Sequence, residues 1–192
     1  YLYANWPEIV ILPLLNSPWQ VAQWATDLEI DAAILTNGND WGESNARDET
    51  ERALVAWCRA RGRPVLGVCR GFQALNALAG GAIETKINSI TGQSHSGICH
   101  DVTLTTPQFI NLAGDNRISV NSYHEQAVTR TGLAADLIPF ALAQYDVVEG
   151  FHHATEALLG VQWHPERPGA PTKFDRAIFD AFLTRGAFWI QT

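Results

Sequence analysis

The chain has 192 residues, 46% of them hydrophobic, and a formal net charge of −7 at pH 7. This length suits a single globular domain that can bury its own core. The acidic balance and the lack of a run of Lys or Arg exclude a phosphate-backbone surface. No apolar stretch approaches the ~20 residues of a membrane span. We therefore expect one domain over residues 1–192, with neither nucleic acid nor membrane as a partner.

The three cysteines, Cys58, Cys69 and Cys99, form no C-x-x-C pair. An odd number at this spacing predicts neither a disulfide framework nor a four-thiolate zinc site. A reducing, cytoplasmic location is the expectation. The sequence contains no Met, even at position 1, so we expect the natural N-terminal end to be incomplete here.

Strand-like and helix-like patterns alternate along the first half of the chain. Apolar, β-branched runs at Ile9–Leu12, Ala32–Thr36 and Val65–Val68 predict buried strands. Asp48–Arg61 predicts an amphipathic helix, with acidic residues in its first turn and basic ones in its last. A second helical stripe follows near the C-terminus, at Phe174, Ala177, Ile178, Ala181 and Phe182. Strand–helix alternation predicts a mainly parallel sheet with helices on both faces.

The second half is richer in strands. Short apolar segments follow one another with little helix between them: Val102–Thr105, Leu137–Gln144, Val147–Phe151 and Leu158–Gln162. This pattern predicts an antiparallel extension of the sheet.

The segment from Pro64 to Gly81 predicts a strand, a sharp turn and a helix, with Cys69 at the turn. Gly67 and Gly71 flank Cys69 in a G-x-C-x-G pattern, which is typical of a nucleophile elbow. The helix N-terminus favours thiolate at Cys69, so we expect its pKa to be lowered. The N–H of Arg70 would then point at a developing oxyanion. Cys58, by contrast, lies on an apolar helix stripe and is expected to be structural.

A cysteine nucleophile needs a histidine to move protons, and that imidazole needs an orienting group. The strand Leu158–Gln162 delivers His164 to a loop, and Pro165 stiffens the step to Glu166. Side chains two residues apart on an extended segment share a side, so Glu166 can orient the imidazole. The sequence therefore predicts a Cys69–His164–Glu166 triad.

The other histidines carry less specific signals. His95 and His100 flank Cys99, but their spacing matches no common zinc pattern, so no metal and no cofactor are expected. His152 and His153 are adjacent on a predicted strand and face opposite ways. The polar segment Asn121, Ser122, Tyr123 and His124 is predicted to bind substrate, the alternative being a plain polar turn.

The loop from Thr36 to Asp40 follows a buried strand, and in a parallel sheet such loops converge on the site. Gly38 N–H is the candidate second oxyanion donor, with Asn39 beside it. Trp41 is the tryptophan expected to touch substrate. The alternative for this loop is an ordinary turn, because Asn and Gly are turn residues.

Four segments together resemble the class I glutamine amidotransferase superfamily, and within it the stand-alone γ-glutamyl hydrolases. They are the Thr36–Asp40 loop, G-V-C-R-G-F-Q from Gly67, V-N-S-Y-H-E-Q from Val120 and G-V-Q-W-H-P-E-R from Gly160. The resemblance implies a flavodoxin-like three-layer αβα sandwich. It also implies attack on a γ-glutamyl amide through a thioester at Cys69, and a role for Gln73 in holding the glutamyl α-substituents.

Two features depart from the family pattern. No match to the family's first strand precedes Tyr1, and Glu125 stands where His is common. Three functions remain open at this point. The first is hydrolysis of a small γ-glutamyl amide or nucleotide phosphoramidate, releasing glutamate. The second is a glutaminase subunit that supplies ammonia to a separate synthetase, and the third is a non-catalytic redox or binding module.

Overall fold

The structure is a computed structural model that describes residues 1–92 and 94–190. Its α-helices there are α1 (Leu2–Asn5), α2 (Val21–Asp27), α3 (Asn45–Ala60), α4 (Arg70–Leu78), α5 (Ile87–Thr91), α6 (Pro107–Ala113) and α7 (Thr172–Arg185). Its strands there are β1 (Ala33–Leu35), β2 (Val65–Val68), β3 (Ser96–Leu104), β4 (Arg117–Tyr123), β5 (Val128–Thr129), β6 (Leu137–Leu142), β7 (Val147–His153) and β8 (Leu158–Val161). None of these helices has the length and apolar character needed to cross a bilayer.

One mixed sheet runs through the molecule in the order β1-β2-β8-β7-β6-β3-β4, and β5 pairs with the start of β7. The pairs β1–β2 and β2–β8 are parallel, and the others are antiparallel. Both predicted parts of the sheet are present, but the antiparallel part is the larger. The parallel part holds three strands, and it is here that the candidate site lies.

Helices cover both faces of the sheet, which gives the predicted three layers. On one face α2, α3 and α4 pack through a buried cluster that includes Leu54 and Phe72. On the other face α6 and α7 pack through a cluster that includes Phe109, Phe174 and Ile178. Burial of each large apolar side chain contributes about 1.5–3 kcal/mol to the free energy of folding. The sheet is therefore held from both sides, as the alternating patterns indicate.

The N-terminal strand prediction is wrong. Residues 9–12 adopt no strand, and Val10, Ile11 and Leu12 are 83%, 46% and 43% exposed. The apolar run carries β propensity, but no neighbouring strand pairs with it, so the tertiary context overrides the local preference. The first strand of the sheet in the described residues is β1, within the predicted Ala32–Thr36 run.

One further element was only partly predicted, and one strand was not predicted. Helix α3 begins at Asn45, three residues earlier than its acidic first turn indicates, and ends at Ala60. Strand β4 had no prediction, although it pairs with β3 from Arg117 to Tyr123. Its polar residues Asn121 and Ser122 are buried and hydrogen-bond to the backbone of His164 and His95, so the strand has no simple apolar pattern.

A buried acid in α7 fixes the end of β8. The indole Nε1 of Trp163 donates a 2.8 Å hydrogen bond to Oδ1 of Asp175, and both side chains are buried. The pKa of Asp175 is raised to about 7, mainly by burial and further by the charge of Glu166. The hydrogen bond from Trp163 acts in the opposite direction and lowers this pKa. Trp163 directly precedes His164, so this contact also anchors the loop that carries the predicted base.

Replacing Asp175 by Asn is expected to stabilise the protein at pH 8 but not at pH 4. The pKa is about 7 in the fold and about 4 in the unfolded chain, so the native chain loses stability as pH rises through this window. Asn keeps the acceptor for Trp163 and carries no charge. The difference in unfolding free energy, measured with urea at both pH values, should grow by on the order of 3 kcal/mol.

Asp175→Ala separates the charge from the hydrogen bond. It should lose the same pH dependence but leave the Trp163 N–H unpaired, so it should be less stable than Asp175→Asn at every pH. An Asp175→Asn difference that stays constant from pH 4 to pH 8 would contradict the assignment.

Candidate active site

Cys69 occupies a strained turn between β2 and α4. Its backbone angles are φ 53° and ψ −104°, a conformation that non-glycine residues rarely adopt. A Cβ on Gly67 would overlap the backbone of Gly71, and a Cβ on Gly71 would overlap the carbonyl of Leu35 in β1. Only glycine fits at either position, so the G-x-C-x-G spacing is explained by close backbone approach.

The register of the sheet brings His164 to the same edge as Cys69. Val68 pairs with Val161 across the parallel strands β2 and β8, and the N–H of Cys69 donates a 2.9 Å hydrogen bond to the carbonyl of Val161. His164 follows three residues after Val161. The two parallel strands therefore deliver the thiol and the imidazole to adjacent loops at one end of the sheet.

His164 and Glu166 are in contact as the sequence predicts. Nδ1 of His164 lies 2.7 Å from Oε1 of Glu166, and Nδ2 of Asn37 lies 3.4 Å from the same imidazole nitrogen. Among the described residues, Nε2 of His164 is buried without a hydrogen-bond partner. Nδ1 is therefore occupied by the orienting carboxylate, and Nε2 is the nitrogen left to exchange protons.

The charge of Glu166 is fixed by its surroundings. Burial alone would raise its pKa, but the hydrogen bond from His164, its own backbone N–H and the charges of His164 and Arg167 together lower it. Glu166 is therefore a carboxylate at neutral pH.

Asn121 and Tyr123, at the end of β4, hold the His164 loop. The Nδ2 of Asn121 donates to the carbonyls of His164, Arg167 and Pro168 at 2.8, 3.2 and 3.1 Å, and its Oδ1 accepts from the N–H of His164 at 2.8 Å. The ring of Tyr123 meets the His164 ring edge-on, with centroids 5.6 Å apart. These contacts fix the backbone of the His164 loop and pack against the imidazole.

Arg47 fixes the loop that follows β1. Its guanidinium donates to the carbonyls of Thr36 and Asn37 at 2.8 and 3.1 Å and to Oδ1 of Asn39 at 3.0 Å. Gly38, between them, has φ 142°, and a Cβ there would overlap the Arg47 guanidinium. The loop is therefore clamped on both sides of Gly38.

The side chain of Arg70 links the first turn of α4 to α3. It is buried and forms ion pairs with Asp48 and Glu51 of α3, and Glu51 also accepts from Nε of Arg47 at 2.9 Å. The guanidinium carbon lies 5.4 Å from the ring centroid of Trp41. One network of charges therefore joins the elbow to the Gly38 loop.

Four of the predicted substrate residues are buried, namely Asn121, described above, and Gln73, Ser122 and His124. The Nε2 of Gln73 donates to the carbonyl of Gln126 and to Oε1 of Gln162, both at 3.1 Å. Ser122 Oγ donates to the carbonyl of His95 at 2.5 Å, and Nδ1 of His124 lies 2.7 Å from the Gln126 carbonyl. In this structure these side chains bind protein groups.

The three cysteines differ in environment, and the expected low pKa of Cys69 is wrong. Burial raises its pKa to about 12, against the backbone N–H of Arg70, which hydrogen-bonds the sulfur and lowers it. Burial also raises the pKa of Cys58 to about 12, whereas Cys99 is exposed. Desolvation outweighs the helix N-terminus because Cys69 is buried, with only 8% of the residue exposed.

Three side chains outside the triad carry atoms that commonly bind metal ions, and they lie close together. One donor atom each from His95, His100 and Glu149 lies within 4.8 Å of the others. Burial would raise the pKa of Glu149, but the imidazoles of His100 and His124 lower it to about 2, so it is a carboxylate. Cys99 does not join this group: its sulfur lies against Gly169, on the other side of β3 from its neighbour His100.

Sequence reasoning missed several contributors to the site. Asn37 and Arg47 contact the triad and the Gly38 loop, and Glu149 joins the histidines, but none was assigned a role. The Arg47–Glu51 spacing of four residues on a helix was a usable signal. Glu149 gave none, because its partners are 25 or more residues away along the chain.

Comparison with known proteins agrees with this geometry. Residues 10–166 match the family described as Peptidase C26, and the chain belongs to that family. It is 31% identical to the gamma-glutamyl-CDP-amidate hydrolase of Campylobacter jejuni, over 72% of this chain and 63% of that protein. It is 30% identical to Protein NtpR of Enterococcus hirae, over 91% of this chain and 81% of that protein.

The fold also matches solved structures. A glutamine amidotransferase from Thermotoga maritima superposes with a TM-score of 0.59 at 16% sequence identity, covering 93% of this chain and 68% of that one. The chain therefore has the class I glutamine amidotransferase fold, and its sequence groups with the γ-glutamyl hydrolase branch, as the motifs predict.

Iodoacetamide is expected to label Cys99 before Cys69. Cys99 is exposed, and the buried Cys69 holds its proton until well above the ~8.5 of a free thiol. At pH 7.5 the rate at Cys69, followed by peptide mass spectrometry, should be at least ~10-fold lower than at Cys99 and should keep rising above pH 9. In Cys99→Ser the early label should disappear. Fastest labelling at Cys69, with a midpoint below pH 8.5, would contradict this result.

Proposed function

We propose that the protein hydrolyses a γ-glutamyl amide bond in a small molecule and releases glutamate, with Cys69 as nucleophile. The observation that carries the proposal is the arrangement at the ends of β2 and β8. A cysteine in an elbow follows one strand, and an imidazole paired with Glu166 at 2.7 Å follows its parallel neighbour. A redox or binding module does not need an orienting carboxylate on that histidine.

The first chemical step forms a thioester. As the substrate enters, Nε2 of His164 accepts the thiol proton of Cys69, and the sulfur attacks the γ-carbonyl carbon. His164 then gives this proton to the leaving nitrogen, the carbon–nitrogen bond breaks, and a γ-glutamyl thioester remains on Cys69. Because the free thiol keeps its proton, this transfer must accompany the attack, and Glu166 assists it by stabilising the imidazolium.

The oxyanion of the tetrahedral intermediate is assigned to two backbone N–H groups, those of Gly38 and Arg70. Donors fixed before the reaction stabilise developing charge without having to reorganise. Arg47 clamps the Gly38 loop, and the ion pairs of Arg70 with Asp48 and Glu51 hold the first turn of α4. These contacts support the assignment because they restrict both donors.

The second step consumes water. His164, neutral again, accepts a proton from a water molecule that attacks the thioester carbon, and the carbon–sulfur bond breaks. The proton returns to the Cys69 sulfur, and glutamate leaves with its γ-carboxyl restored. The cycle needs no cofactor, and the partner of the protein is its small-molecule substrate.

The identity of the leaving group is inferred from sequence similarity to a known hydrolase. The 31% identity to the gamma-glutamyl-CDP-amidate hydrolase favours a nucleotide phosphoramidate or a similar larger amide over plain glutamine. The loops available to bind this part are residues 41–47 and 121–126, which flank the elbow. We propose that six residues act on the substrate indirectly, by supporting the loops around it. They are Asn39, Gln73, Asn121, Ser122, Tyr123 and His124.

Removing a triad side chain should abolish turnover while the fold persists. Cys69→Ser and His164→Ala should each lower kcat by at least ~10³-fold. The triad residues act together, so removing one of them removes nearly all of the rate enhancement. Glu166→Gln should cost less than either, since it keeps a hydrogen bond to the imidazole but loses the charge. Glutamate release is the measurement, and circular dichroism checks the fold.

Cys99→Ser is the matched control. It replaces an exposed cysteine outside the elbow and should keep turnover within about twofold of the native chain. If Cys69→Ser were as active as this control, Cys69 would not be the nucleophile.

A panel of γ-glutamyl compounds separates a hydrolase from an ammonia-supplying subunit. A stand-alone hydrolase draws specificity from both ends of its substrate. The purified chain should therefore cleave a larger γ-glutamyl amide or phosphoramidate ~100-fold faster in kcat/KM than glutamine, equivalent to roughly 2.7 kcal/mol of leaving-group recognition. Glutamine as good as every larger amide, or activity only with a synthetase added, would establish the subunit instead.

A further inference from the structure

Four side chains that the triad does not use meet in the antiparallel part of the sheet. His95 precedes β3, His100 lies on β3, His124 follows β4 and Glu149 lies on β7. The ring centroids of His95 and His100 are 5.0 Å apart, and those of His95 and His124 are 5.5 Å apart. Two stretches of chain thus bring three imidazoles close to one carboxylate on a third stretch.

The carboxylate of Glu149 is fully buried, and its nearest polar neighbours are two imidazole nitrogens. Its side chain is 0% exposed, and neither oxygen has a hydrogen bond among the described residues. Nε2 of His100 and Nε2 of His124 lie 3.3 and 3.6 Å from the same oxygen, Oε1. Nδ1 of His95 and both ring nitrogens of His100 are also buried without a hydrogen bond there. Buried polar atoms usually find partners, so this concentration needs an explanation.

One spacing in the cluster equals that of ligands around a small cation. Two ligand atoms bound to a tetrahedral zinc ion at 2.0–2.1 Å lie about 3.3 Å from each other. Nε2 of His100 lies 3.3 Å from Oε1 of Glu149, and one donor atom each of His95, His100 and Glu149 lies within 4.8 Å of the others. A set of imidazoles with one carboxylate favours zinc and similar transition ions over calcium or magnesium, which prefer oxygen ligands.

We propose that His95, His100 and Glu149 bind one divalent transition-metal ion. The ion would supply a partner for the buried imidazole nitrogens and for the second oxygen of Glu149. It would also cross-link the start of β3 and the middle of β7. This site is additional to the proposed hydrolysis, and no step of that reaction passes through it.

The test measures metal binding by the untagged full chain, independently of activity. The chain is dialysed against a chelator and titrated with Co²⁺, whose visible absorption reports a four-coordinate nitrogen–oxygen site. One equivalent per chain is expected, zinc should displace the cobalt and abolish the colour, and saturating zinc should raise Tm. The proposal would be overturned if no cobalt spectrum appeared and no zinc were retained at micromolar concentration. The cluster would then bind protons but no metal ion.

Variants locate the ion. His100→Asn and Glu149→Gln should each weaken cobalt binding by at least ~100-fold, since each removes a direct ligand. Cys99→Ser is the matched control beside His100 and should bind cobalt like the native chain. Loss of binding in Cys99→Ser, with His100→Asn unaffected, would refute the assigned ligands. If Glu149→Gln does not fold, the native titration and His100→Asn still decide the outcome.

Discussion

The parallel pairing of β2 with β8 is the constraint on which the candidate site depends. Because Val68 is in register with Val161, Cys69 and the loop that carries His164 leave the sheet side by side. A shift of one residue would send the side chains of either strand to the opposite face. The register is held by apolar burial on both faces, so the core that stabilises the fold also sets the distance between the chemical groups.

Around this pair, the surrounding elements restrict movement. Asn121 binds the backbone of the His164 loop from β4, and Trp163 is held by Asp175 from α7. On the other side, Arg47 clamps the loop after β1. Fixed geometry of this kind is what a site needs when catalysis relies on donors and dipoles positioned in advance. Burying a charge pair costs free energy because both groups lose water. The buried ion pairs of Arg70 are consistent with a site in which a fixed geometry outweighs that cost.

Burial gives the site its electrostatic character. The low-dielectric surroundings keep the Cys69 thiol protonated and raise the pKa of Asp175, whereas Glu149 and Glu166 remain carboxylates because imidazoles lie beside them. The same desolvation strengthens every remaining interaction within the site. A buried thiol that keeps its proton is also protected from side reactions in the free protein.

The sequence by itself determined the elements with strong local signals. The elbow glycines, the His164–Glu166 pair and the long helices α3 and α7 follow from spacing and periodicity, which act over a few residues. The tertiary structure decided the rest. It left residues 9–12 outside the sheet, added β4 at its edge, buried Cys69 deeply enough to raise its pKa, and brought Glu149 to histidines distant in sequence. Strand pairing, desolvation and long-range contacts depend on which segments meet in three dimensions, and no local pattern encodes that.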